Sequence, residues 1–162
     1  MKSSIIKTGT MLAGFLLAAC LSTHAEIKLP AIFSDGMVMQ QQTNANLWGT
    51  ATPHKKVTVT TSWNRKQYAA TADKNGAWKL TVATPEAGGP YTVTFDDGTQ
   101  KKLNNILIGE LWLCSGQSNM EMPMKGFKNQ PVENANMDIL HSKNPQIRLF
   151  TVKRTSTFTP QN

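Results

Sequence analysis

Apolar and polar positions alternate through Val57, Thr58, Val59, Thr60, Thr61 and Ser62. A period of two predicts a strand with one buried face. Residues 68–72 and 77–82 have the same character, with Asp73-Lys74-Asn75-Gly76 as the turn between them. Gly88-Gly89-Pro90 punctuates the chain ahead of another strand at 91–95. Asp96-Asp97-Gly98 is a hairpin signal leading into 99–103. Short strands at this spacing, divided by Gly and Asp turns, predict a small antiparallel β-sandwich domain over residues 26–104. Trp48 and Trp78 are expected to fill its core; the alternative is a platform on which sugar rings stack.

The pattern then changes. Residues 106–114, Ile-Leu-Ile-Gly-Glu-Leu-Trp-Leu-Cys, are nearly continuously apolar. Such a run fits a strand buried on both faces, as in a parallel sheet flanked by helices. Pro123 and Pro131 preclude one long helix after it. Residues 132–142 have helical spacing, with Val132, Ala135, Ile139 and Leu140 on one face. Residues 146–152 read as the next strand. Strand, helix, strand begins a βαβ unit. The expected class is therefore β plus α/β, with a boundary near Asn104-Asn105 and the opening of an α/β domain over 105–162.

Lys2 and Lys7 are the only charges before Glu26, and Met-Leu-Ala-Gly-Phe-Leu-Leu-Ala-Ala at 11–19 is a short apolar run. These features predict a secretory signal peptide over 1–25 and an exported protein, periplasmic or extracellular. The run falls short of the ~20 apolar residues that a membrane-spanning helix needs. Thr23-His24-Ala25 suits cleavage before Glu26 and is the preferred site. Leu17-Ala18-Ala19-Cys20 resembles a lipobox, so the alternative is a membrane anchor through lipidated Cys20.

Loss of residues 1–25 removes two lysines and no acids, so the net charge falls from +7 to +5. The basic residues are spread along the chain without an aromatic platform beside them. With export, that argues against a nucleic-acid partner. Cys114 is alone once Cys20 is removed or lipidated, so no internal disulfide is expected. Two cysteines and three scattered histidines give no zinc-site spacing.

The stretch that can carry chemistry is Cys114-Ser115-Gly116-Gln117-Ser118-Asn119-Met120. A strand ends, Gly116 permits a tight turn, and Ser118 follows at a helix entrance. The carboxyl end of a parallel strand is where crevices form in open α/β sheets. A serine there is a candidate nucleophile, and backbone amides beside it can hold developing negative charge. Ser118 with Glu121 also has the spacing of a capping box, so a helix cap is the competing role. Met120 stands where a lipase-type elbow has its second glycine.

Residues 108–123, from Ile108-Gly109-Glu110-Leu111-Trp112 through Gly116-Gln117-Ser118-Asn119 to Pro123, resemble the nucleophile block of the sialate O-acetylesterases, of the SGNH hydrolase superfamily. The similarity extends upstream to Leu29-Pro30-Ala31-Ile32-Phe33-Ser34-Asp35-Gly36-Met37-Val38-Met39-Gln40-Gln41 and downstream through Gln130-Pro131-Val132 and Pro145-Gln146-Ile147-Arg148-Leu149-Phe150. The resemblance implies an SGNH-type hydrolase domain, started but incomplete over 105–162. It implies a serine esterase that removes O-acetyl groups from sialic acid or related sugars, with no metal or organic cofactor. Ser118 becomes the nucleophile, and its backbone N–H an oxyanion donor. The superfamily's other donors, a glycine and an asparagine, and its Asp-x-x-His block find no counterpart in these residues. Asp138-Ile139-Leu140-His141 has the spacing of that block, but it falls in the first helix after the nucleophile and is read as coincidental. His54 and His24 are poorer candidates still. The chain is expected to be an N-terminal fragment, inactive alone. The rival reading is a non-catalytic, exported β-sandwich that binds glycan, with Ser118 as a helix cap.

Overall fold

The alternation at 57–61 is realised in strand β3, where Val57, Val59 and Thr61 are buried. This computed structural model describes residues 26–152 and 156–158. The expected signal segment, with Cys20 and His24, lies outside them. The strands are β1 (Val38–Gln40), β2 (Asn44–Thr50), β3 (Lys56–Thr61), β4 (Gln67–Thr71), β5 (Ala77–Ala83), β6 (Gly88–Asp96) and β7 (Gln100–Gly109). Helices α1 (Ser118–Glu121) and α2 (Ala135–His141) follow.

The strands form a five-stranded sheet, ordered β1-β7-β6-β3-β4, and a two-stranded sheet, β2-β5. All pairings are antiparallel except β1 with β7, which run parallel. The expectation of a purely antiparallel domain is corrected there. Parallel neighbours need a long connection rather than a hairpin, and here strands β2 to β6 together make that connection.

One core lies between the sheets. Leu47, Trp78, Leu80 and Val82 come from the two-stranded sheet, and Val57, Val59, Val93, Phe95, Leu103, Ile106 and Ile108 from the other. Trp78 and Phe95 meet across the gap with ring centroids 5.9 Å apart. Trp78 is thus a core residue, as expected, and Trp48 is not. Leu47 takes the inward position on β2, so the next residue must point outward. Trp48 is 36% exposed and is held edge-to-face by Phe33 at 4.6 Å.

The expected boundary at Asn104-Asn105 falls inside β7. Val93 pairs with Leu103 and Tyr91 with Ile106, so two steps on β6 face three on β7. This is a bulge, with Asn105 at φ 56°. The extra residue resets the alternation, which brings Ile106 and Ile108 to the same core as Leu103. The strand expected through residue 114 stops at Gly109. Beyond it Leu111, Trp112 and Leu113 are exposed, without a pairing strand among the described residues. The helix expected over 132–142 is present as α2, with Ala135 buried and Ile139 and Leu140 exposed. Residues 146–152 form no strand and pair with none of the described strands.

Two substitutions test this packing. Phe95→Ala is expected to lower unfolding free energy by about 3–5 kcal/mol in a urea titration, since the ring is fully buried between the sheets. Gly49→Ala is expected to destabilise the pairing of Lys28 with Thr50. Its Cβ would collide with the Lys28 carbonyl and press on the Trp78 ring. A shift of the urea midpoint to lower concentration checks it; an unchanged midpoint refutes the close approach.

Candidate active site

The chain reaches Ser118 from the end of β7, and β1 secures that exit. The Gln41 N–H donates to the Gly109 carbonyl at 2.8 Å, and the Leu111 N–H to Gln40 Oε1 at 2.8 Å. The Glu110 carboxylate accepts from Gln41 Nε2 at 2.6 Å and from Gln40 Nε2 at 3.1 Å. Gln41 Oε1 in turn accepts from the Ala87 N–H at 2.8 Å. The hydrogen bonds from Gln41, and then Gln40, hold the Glu110 carboxyl below its ordinary value, because they favour the ionised form. Gln40, the last residue of the short edge strand, and Gln41 just past it therefore set the direction in which the chain departs.

From 111 to 116 the chain has no regular structure and is exposed. A Cβ at Gly116 would lie 2.7 Å from Met120 Cγ, so the turn is closed by the Met120 side chain over the glycine. Ser118 is the first residue of the four-residue helix α1. Gln117, not Ser118, occupies the N-cap position, and it makes no side-chain cap hydrogen bond. Ser118 is exposed, and its hydroxyl has no hydrogen-bond partner among the described residues.

Among the described residues, no histidine is hydrogen bonded to that hydroxyl. Asp138 and His141 sit on α2, both exposed, and neither is hydrogen bonded to Ser118. His54 lies in the turn before β3 at φ 61°, its N–H donating to the Ala72 carbonyl at 3.0 Å. Cys114 is a free, exposed thiol. Among the described residues, no group of three or more His, Cys, Asp or Glu side chains stands ready for a metal ion.

Arg148 ties the far end of this region to the sheets. Its guanidinium donates to the Gly36 carbonyl at 2.7 Å, to Asn105 Oδ1 at 3.0 Å, and to the Asn105 carbonyl. The same turn is fixed to β7 by Asp35 Oδ1, which accepts from the Asn104 N–H at 2.7 Å. Gly36, at φ 80°, supplies a conformation that other residues adopt at a cost. Gln40, Gln41, Glu110 and Arg148 received no role from sequence reasoning. The signal that points to them is their place in three of the segments of family resemblance, which the structure joins by hydrogen bonds.

No family model matches the chain. A sialate O-acetylesterase of Pongo abelii is 28% identical over 150 residues, 86% of this chain and 28% of the relative. The mouse (Mus musculus) and human (Homo sapiens) sialate O-acetylesterases are 29% and 28% identical over 85% and 75% of the chain, and 27% and 25% of their own lengths. Among solved structures, a carbohydrate acetylesterase from Xanthomonas citri superposes with a TM-score of 0.57 at 33% identity, over 60% of this chain and 22% of that one. The chain spans about a quarter of the length of the curated relatives it matches. The staple of Gln40, Gln41 and Glu110 lies at the exit of β7 with the exposed Ser118 beyond it, and over 75–86% of its length the chain is similar to sialate O-acetylesterases.

Proposed function

We propose that this chain carries the nucleophile of a serine esterase that removes O-acetyl groups from sialic acid or a related acetylated sugar. The observation behind this reading is an exposed, unpartnered Ser118 hydroxyl placed just past a strand exit held by four side-chain and backbone bonds. In the reaction the Ser118 oxygen attacks the acetyl carbonyl carbon, and a base takes its proton. The tetrahedral oxyanion is held by backbone N–H groups, that of Ser118 included. The sugar oxygen leaves with a proton, and water then releases acetate from the acyl-serine.

The base and the remaining oxyanion donors belong, in this reading, to an SGNH-type domain that residues 105–162 only begin. The 162-residue chain alone is accordingly inactive. Export through the 1–25 signal segment, with lipidation at Cys20 as the alternative, would place it outside the cytoplasm beside acetylated glycans.

Two measurements test the proposal. In a protein that continues this chain through the remaining length of its relatives, Ser118→Ala is expected to lower p-nitrophenyl acetate turnover by about 10³-fold or more. The chain by itself is expected to match its own Ser118→Ala background; turnover by the chain that His141→Ala abolishes would instead establish Asp138 and His141 as an internal pair. The second measurement is the intact mass of protein from a secreting bacterial host. A mature terminus at Glu26 is expected, and a diacylated Cys20 terminus would replace cleavage after Ala25 with anchoring.

A further inference from the structure

The two-stranded sheet has an outer face that the core does not use. Trp48 lies on it, with Asn46 and Thr50 two residues to either side on the same strand. Lys79 is the cross-strand partner of Trp48, and Lys28 is paired with Thr50 from the other side of β2. Paired residues in antiparallel strands share a face, and diagonal neighbours lie ~7–8 Å apart. The indole is therefore flanked by a lysine on each side. All five of these side chains are exposed.

These residues line a concavity of about 750 Å³, within the ~300–1,000 Å³ range of small-molecule sites. Neither lysine has an ion-pair partner among the described residues. Asp73 also lines the concavity, but its Oδ1 accepts from the Asn75 and Ala77 N–H groups and closes the turn before β5. Phe33 holds the indole by an edge-to-face contact, so little side-chain freedom remains to be lost on binding. A fixed, exposed indole between two unpaired cations, with an amide and a hydroxyl beside it, combines an apolar stacking surface with charge for an anion.

We propose that this face is a saccharide-binding site, separate from Ser118, for a sugar that carries a carboxylate. The pyranose C–H face stacks on Trp48, Lys28 and Lys79 take the carboxylate, and Asn46 and Thr50 hydrogen bond to ring hydroxyls. The inference does not rest on the esterase reading, since no residue of the site belongs to the strand exit or the Ser118 turn.

The test is a titration of the full chain with N-acetylneuraminic acid, glucuronic acid and glucose, followed by tryptophan fluorescence and by heat. The two acids are expected to bind at least tenfold more tightly than glucose. Trp48→Ala is expected to weaken acid binding tenfold or more, and Lys79→Met to remove the preference for acid over glucose. Circular dichroism checks that each variant is folded. Ser118→Ala is expected to leave all affinities unchanged. Equal binding of glucose and the acids, full affinity in folded Trp48→Ala, or loss of binding in Ser118→Ala would each overturn the proposal.

Discussion

The pairing of β7 with β1 and β6 supports everything else in this molecule. Leu103, Ile106 and Ile108 give β7 its hold on the core, and the bulge at Asn104-Asn105 keeps all three on one side of the sheet. The bulge also exposes polar groups of Asn105 to which Arg148 binds. At the far end, Gln40, which closes the edge strand, and Gln41 just after it hold Glu110 and Leu111. A buried strand thus fixes both the start of the segment that carries Ser118 and, through Arg148, its return. Rigid scaffold beneath an exposed functional turn is the usual division of labour in such proteins.

The energetics divide the chain unevenly. Residues 26–109 bury a contiguous apolar core between two sheets, whereas Leu113 and Leu149 are 93% and 92% exposed. Apolar burial contributes roughly 25 cal/mol per Å², so the stability of these residues resides in the strands. The segment 111–152 is attached chiefly through hydrogen bonds at Glu110, Leu111 and Arg148. That attachment specifies direction more than it adds stability, because exposed polar contacts are individually weak.

The outer face of β2 and β5 shows how one alternating strand serves two purposes. Leu47 supplies the core, and Trp48, one residue on, is left to the surface beside two lysines. The strand period that buries one side chain obliges its neighbour to face water. An indole in that place, held by Phe33, is a surface feature with a fixed geometry.

Periodicity and turn chemistry are local, and what they encode was legible in the residues. The strands at 57–61, 77–82 and 91–95, the turns at 73–76 and 96–98 and the helix at 135–141 all followed from the order of side chains. The motif segments also carried the resemblance to sialate O-acetylesterases that the comparisons show. Pairing across long separations is not local, and only the tertiary structure decided it: the parallel partnership of β1 with β7, the two glutamines on Glu110, and the reach of Arg148 to Gly36 and Asn105. The expected boundary at Asn104-Asn105, set where the nearly continuous apolar run of 106–114 begins, lies inside β7 because a bulge there changes the apolar pattern without ending the strand. Trp48 was misplaced for a related reason, since hydrophobicity alone does not say which face of a strand is inward; register against neighbouring strands does.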